Sequence, residues 1–397
     1  MKINSAILAA ALGLGSVSMA NAVNYIYYTG STAARDAVYT ALTNGVGFDN
    51  NSVTFAGFGS STPSGCSYME FSNTASSVPT IVKCEWSGSE AGINDVSTGT
   101  QEPFLADLGT AGVTAGANSA SPTASQIVSN AVNIAQADNA LLYSKLPGSS
   151  AVQTSDSLVI PFVFVKNTTT IADQGNFSNI TSANFKNLAQ GGDVLALFTG
   201  NAADQNNFVY LAGRDDNSGT RVNTFGITGW GIKTAPSQIE LLNSNLVNFG
   251  TVSSPVYQTV EGQSSGGTLA KSLTDTTSSA DKINGGTGFI AVAYLGLSDD
   301  ATAEGLSGGS SGGPSPAATR LTYNGVAYSF NNVENGIYDM WGNEYTDVKS
   351  GSASYITTFA SKITNPSTGI ANNTSGFEIP DSAMNVTRTG PTSYSIY

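Results

Sequence analysis

The chain has 397 residues, with 15 basic and 28 acidic side chains, a formal net charge of −13 and no histidine. The length suits two lobes better than one core, and the acidic balance, with no Lys/Arg cluster, argues against nucleic acid and anionic membrane surfaces as partners. Absence of His excludes Ser-His-Asp and Cys-His nucleophiles, His general bases and His-containing zinc centres.

The first residues read as an export signal. Lys2 gives the positive start, Ala6 to Leu14 a short apolar stretch, and Ala20-Asn21-Ala22 a small-x-small cleavage site, so the mature chain is expected to begin near Val23 in a periplasm or the medium. That apolar stretch is too short to span a bilayer, as is the later Leu158 to Val165, so membrane insertion is not expected. Cys66 and Cys84 lie in an exported chain, where a disulfide is the leading expectation and two free buried thiols the alternative. With no His beside them, they offer too few soft ligands for a metal.

Asn24 to Thr29 reads as a strand running into Gly30-Ser31-Thr32 and then a helix over Ala33 to Leu42. Such a turn aims free backbone N–H groups and the positive end of a helix dipole at one point, where Ser31 or Thr32 adds a hydroxyl; an ordinary N-cap is the simpler reading. Val53 to Phe58 is a second strand, followed by Gly59-Ser60-Ser61. Thr80 to Trp86 is a third, followed by a loop carrying Ser89 and Glu90. Three strands ending in small polar loops suggest a parallel sheet with a ligand at its C-terminal edge.

Residues 95 to 157 are rich in Ala, Ser, Thr and Gly, with helices expected around Ala124 to Ala135 and Asn139 to Tyr143. Leu158 to Lys166 reads as a buried strand that crosses between lobes, Thr181 to Leu188 as a capped helix, and Phe208 to Ala212 as a strand. The string Arg214 to Thr220, RDDNSGT, stands before a helix expected from Arg221. There a guanidinium can clamp an oxyanion while Ser218, Thr220 and the helix-start amides complete its shell, and Gly219 allows close backbone approach. A surface salt bridge from Arg214 to Asp215 or Asp216 is the competing reading.

GQSSG at Gly262 to Gly266 matches a hydrolase elbow, but without His to activate the hydroxyl it reads as a polar loop. Gly286 to Tyr294 is an apolar strand, Ser307 to Pro316 a linker, and Asn335 to Tyr345 a return strand toward the first lobe.

In this order the motifs resemble the phosphate-binding proteins of high-affinity phosphate ABC transporters, the PstS-like group of class II periplasmic binding proteins. The resemblance is carried by GST and its helix, GFGSS at Gly57 to Ser61, SGSEAGI at Ser87 to Ile93, VIPFVFVKN, GRDDNSGTR at Gly213 to Arg221, GTGFIAVAY and NGIYDMWGNEY. It implies a two-lobed α/β fold, each lobe a mixed, largely parallel sheet flanked by helices, with the ligand in the cleft between lobes. Lobe one would comprise residues 23–157 and 335–397, and lobe two residues 158–334.

It further implies an exported, monomeric, non-enzymatic carrier without a cofactor, delivering phosphate to an ABC permease. The implied ligand residues are Arg214, Ser218, Gly219 and Thr220, with Ser60, Ser31 and Thr32 from the first lobe, and Glu90 where family members use Asp. A carboxylate there accepts a proton from phosphate and repels fully ionised sulfate. Three alternatives stay open: a binder of sulfate or molybdate, a surface protein that kept the fold without the anion, and a carboxylate-based hydrolase or phosphatase.

Overall fold

The computed structural model describes residues 22–75, 77–169, 171–172, 174–242, 245–273, 280–286, 288–305 and 318–388. The export signal, apart from Ala22, and the linker at Ser307 to Pro316 lie outside the described residues.

The first half opens with β1 (Asn24–Gly30) and α1 (Arg35–Thr43). Next come β2 (Thr54–Phe58), β3 (Tyr68–Asn73), β4 (Thr80–Glu85) and α2 (Ser89–Thr98). β5 (Gln101–Leu105), β6 (Gly116–Asn118), β7 (Ile127–Ala131) and β8 (Ile134–Ala137) lead to the 16-residue β9 (Val152–Asn167). After β10 (Asn179–Ile180) come α3 (Ser182–Gly191), β11 (Asp193–Val194), α4 (Ala196–Thr199), β12 (Phe208–Leu211) and α5 (Gly219–Thr228). Short strands β13 (Gln238–Ile239), β14 (Leu241–Leu242), β15 (Asn245–Leu246) and β16 (Gln258–Thr259) precede α6 (Gly266–Ser272), β17 (Phe289–Gly296) and α7 (Leu297–Ala303). The chain continues through β18 (Ala318–Arg320), β19 (Thr322–Tyr323), α8 (Phe330–Glu334), β20 (Trp341–Val348), α9 (Ser354–Ile363) and β21 (Ile379–Pro380).

Thirteen strands form one mixed sheet in the order β11-β12-β17-β9-β20-β8-β1-β4-β3-β2-β6, with β18 and β21 also on β9. β1 is parallel to β4 and β8, and β12 to β17, while β9 is antiparallel to both β17 and β20. The aromatic and β-branched residues of β9 are those a strand buried on both faces requires, and Leu158 to Val165 is fully buried save for traces. Pro161 is tolerated because it lies where β9 changes partners. It is the last residue on β20, opposite Trp341, and Phe162 is the first on β17, opposite Gly296.

This handover positions the site. β8 and β9 are each antiparallel to β20, so β8 runs with the first part of β9, and β17 runs against the second part. The C-terminal ends of β8 and β17 therefore face one another across the handover point.

Several expected elements shift. The helix expected at Ala124 to Ala135 is instead β7 and β8. The chain there is β-branched, and Ile134 to Ala137 is buried throughout between β1 and β20, where a strand loses no ladder bonds. Asn139 to Tyr143 holds only a 3₁₀ turn at Leu141–Tyr143. α1 starts two residues late because the Ser31 hydroxyl accepts the Ala33 and Ala34 amides (3.2 and 3.3 Å), making a turn first. The return strand begins at Trp341 rather than Asn335. α5 begins at Gly219, with Ser218 as cap, rather than at Arg221.

The expected disulfide is absent, since Cys66 and Cys84 are free, buried thiols. Cys84 faces Met69 in the β3–β4 ladder, three positions beyond Cys66. At about 3.3 Å per residue that offset is about 10 Å, past the roughly 7 Å that a disulfide spans between Cα atoms. The Cys66 thiol instead donates to the carbonyls of Ser60 (3.4 Å) and Thr62 (3.7 Å).

Candidate anion-binding site at the start of helix α5

β1, β4 and β8 run in parallel, so the turns after Gly30, Glu85 and Ala137 leave the same sheet edge. Two glycines draw these turns together. Gly30 has φ +118° and lies flat on Gln136, so a Cβ would overlap the Gln136 carbonyl; the next amide, Ser31 N–H, donates to that carbonyl at 2.8 Å. Gly88, with φ +102°, donates to Gly30 O at 2.9 Å, and a Cβ there would come within 2.6 Å of Asn217 O. Glu90 N–H donates to the same Asn217 carbonyl at 2.9 Å, which fastens the start of α2 to the turn before α5.

That turn follows β12. Arg214 is buried and its backbone N–H donates to the Tyr294 hydroxyl at 3.1 Å. Its guanidinium donates through Nε to Gln263 O and through Nη2 to Ser264 O, both at 3.1 Å, so the GQSSG loop wraps it. The competing reading, an ion pair of Arg214 with Asp215 or Asp216, does not form; Asp216 pairs with Lys145 at 2.7 Å. Ser218 caps α5, its Oγ accepting Arg221 N–H at 3.2 Å.

Facing the start of α5 is a carboxylate, Asp138, from the turn after β8. Ser89 Oγ donates to one of its oxygens, and Thr220 Oγ1 to the other at 3.1 Å. Asn223 Nδ2 holds its backbone carbonyl. Gly219 presses against it: an added Cβ would overlap Asp138 Oδ1 and stand 2.5 Å from Ser89 Oγ and 2.6 Å from Asn139 Oδ1. Burial raises the Asp138 pKa, while the Ser89 and Thr220 hydroxyls and the Arg214 charge act against that rise. Two hydroxyls and a helix N-terminus thus hold a pair of carboxylate oxygens, with the Arg214 charge acting on them from further off, an arrangement like the one an external oxyanion would meet.

Of the residues expected from sequence, Arg214, Ser218, Gly219 and Thr220 form one buried turn, and Ser31, Thr32 and Glu90 lie on the turns packed beside it. Ser31 spends its hydroxyl on the amides of Ala33 and Ala34. The first turn touches the latter half of the chain at Gly296, where a Cβ would meet Ala33 Cβ at 3.4 Å. The Glu90 carboxylate is directed elsewhere, accepting Asn139 Nδ2 at 2.8 Å and Lys145 N–H at 2.6 Å. Burial lifts its pKa to about 7 against those two donors.

Ser60 is not brought in. β2 lies three strands from β1, with β4 and β3 between, about 14 Å away at ~4.8 Å per strand. Its hydroxyl accepts Thr62 N–H at 3.0 Å within its own turn. Sequence reading missed Asp138, Asn139, Asn223 and Gln263, and passed over Ser89 in favour of its neighbour Glu90. The available signal was Asp138-Asn139 standing at the end of the apolar run Ile134 to Ala137, the place where the other strands put their small polar turns.

Among the described residues no group of three His, Cys, Asp or Glu side chains is placed to hold a metal, and no helix is long and apolar enough to cross a membrane.

No family model matches the chain, and no curated protein matches it. Solved structures do. One is described as a phosphate ABC transporter substrate-binding protein with bound phosphate from Clostridium perfringens, 14% identical, with TM-score 0.42 over 86% of this chain and 93% of that one. Another is an ABC-type phosphate transport receptor from Vibrio cholerae, 11% identical, with TM-score 0.41 over 84% and 93%. A third is PstS from Borrelia burgdorferi, 13% identical, with TM-score 0.36 over 86% and 92%.

Proposed function

We propose that the chain is an exported binding protein, not an enzyme, that captures a tetrahedral oxyanion at the start of α5, with inorganic phosphate preferred. In this reading one lobe comprises residues 23–157 and 335–397 and the other residues 158–334, hinged near the handover in β9. One observation carries it: the Asp138 carboxylate is held against Gly219 by Ser89 and Thr220, within the field of Arg214, as an oxyanion would be. Opening of the lobes withdraws Asp138 from Thr220 and Gly219, and the incoming anion takes their donors. Asp138 then accepts a proton carried by the ligand, which favours hydrogen phosphate over sulfate, whose oxygens have no proton to give. Asp138 thereby takes the part the sequence assigned to Glu90. Delivery to an ABC permease follows from the same reading, and phosphate, the ligand bound in the similar Clostridium perfringens structure, is the anion to try first.

A second reading is favoured by the close contact at Gly219: Asp138 is a permanent internal anion that locks the two halves, and no external ligand enters. Thermal melts of the chain from Val23, in rising phosphate, sulfate and molybdate, separate the two. A melting temperature that climbs with phosphate, and does so far less in Arg214→Ala, supports capture. Melts indifferent to all three anions leave the internal lock as the reading and end the proposal.

A further inference from the structure

A cavity of about 440 Å³ lies on the other flank of α5, lined by Tyr143 and Lys145 after β8, Arg221 and Val222 on α5, and Ile232 and Val260 from the loops beyond, among others. That volume is within the range of small-molecule sites, roughly 300–1,000 Å³. Thr220 and Asn223 turn toward Asp138, whereas Arg221 and Val222 stand on the adjoining face of the helix, so this space is separate from the Asp138 contact.

Arg221 marks it. The side chain is 8% exposed, and its guanidinium lies 5.1 Å over the Phe225 ring. Nη1 donates to Arg214 O at 3.0 Å and lies at 3.5 Å from Val260 O. Among the described residues no carboxylate comes within 4.0 Å of it, and Nε and Nη2 have no protein acceptor. Lys83 is paired with Glu70 (3.5 Å) and Asp107 (2.6 Å), and the partly buried Arg320 with Asp300 and Glu304, whereas Arg221, like the buried Arg35, Lys166 and Arg214, has no carboxylate within 4.0 Å among the described residues, and of these four it is the one that lines this cavity. The two open donors keep access to solvent at the cavity wall, where an anion can replace water and gain a charge-assisted pair in a mostly desolvated setting. Lys145 is committed to Asp216, which leaves Arg221 and Lys233 against Glu261 on the lining itself, with the Asp215 carboxylate behind it also acting on Arg221, in a chain of net charge −13.

We propose that this cavity binds a small organic anion whose carboxylate or phosphate-ester group pairs with Arg221 while its apolar body rests on Val222, Ile232 and Val260. The planar guanidinium offers two parallel donors to either head group. The site is independent of what occupies the α5 start, since it uses neither Asp138 nor Thr220.

The probes are benzoate and phenyl phosphate, with uncharged benzamide as the control, followed by thermal shift and calorimetry. At least one of the two anions is expected to bind saturably, and which one does identifies the head group. Val260→Trp, at a position 53% exposed, fills the cavity without touching the core and is expected to abolish that binding while leaving the response to inorganic phosphate as it was. Arg221→Gln is expected to weaken it by about tenfold or more, as loss of a charge-assisted hydrogen bond does. Saturation by neither anion overturns the proposal, as does binding that survives Val260→Trp or benzamide binding as tightly as benzoate.

Discussion

Replacing Gly219 with alanine sets two opposite effects against each other. Gly219 is the first residue of α5 and has no positive φ, so its backbone accommodates any residue, and alanine in a helix is better than glycine by about 1 kcal/mol. On helix propensity alone the variant is more stable. The added methyl, however, overlaps Asp138 Oδ1 and meets Ser89 Oγ at 2.5 Å and Asn139 Oδ1 at 2.6 Å. Overpacking of this kind costs about 1–3 kcal/mol. If Asp138 retreats instead, it loses the Thr220 or Ser89 hydroxyl, and a hydrogen bond to a charged group is worth about 1.5–3 kcal/mol. Packing wins by up to about 2 kcal/mol, the difference of those ranges. The expected result is a lower urea midpoint in Gly219→Ala than in the parent chain, with an unchanged slope. A midpoint equal to the parent's or above it would mean that Asp138 does not sit against α5, and the reasoning about the site fails with it.

Stability should fall as pH rises. Burial lifts Glu90, Asp156, Asp347 and Glu378 to about 7, well above carboxylates in an unfolded chain, so the folded protein holds more protons between about pH 4 and 7. Their contribution is complete below the unfolded value and is lost as pH passes the folded one. Urea midpoints should therefore be higher at pH 5 than at pH 8, and a flat or rising profile contradicts this. Ser89→Ala should weaken phosphate binding while Ser60→Ala leaves it unchanged; calorimetry showing the reverse order would restore the GFGSS turn to the site. Both thiols should resist a thiol reagent in the native chain and react when it is unfolded without reductant; a chain that gives no free thiol in denaturant carries the disulfide after all.

How much of this was legible in the sequence depended on whether the signal was local. The turn from Arg214 to Thr220 was readable because a Gly between two hydroxyl residues ahead of a helix is a local pattern, and Ser218 does cap α5. The strand at Leu158 to Lys166 was readable from its unbroken apolar run, as was the capped helix after Thr181. Asp138 was not readable, because its role depends on β8 lying between β1 and β20, pairings 100 and more residues apart in sequence. The alanines around Ile134 also mimic a helix until that neighbourhood is known. Ser60 misled for the converse reason. GFGSS is a sound local motif, but β2 folds back on β3, and this hairpin carries the turn to the far side of β4. Glu90 and Ser89 differ by one position at the start of α2, and only the packed structure tells which of them faces α5.

The proposed function requires the donors around Asp138 to accept an external oxyanion. Calorimetric titration of phosphate and sulfate into the chain from Val23 at pH 7, alongside Asp138→Asn, tests this most directly. The expected result is saturable binding of phosphate by the parent chain, little or none of sulfate, and a narrowed gap between the two in the variant, which no longer presents an anion to the ligand. No binding heat with either anion in either chain would contradict it.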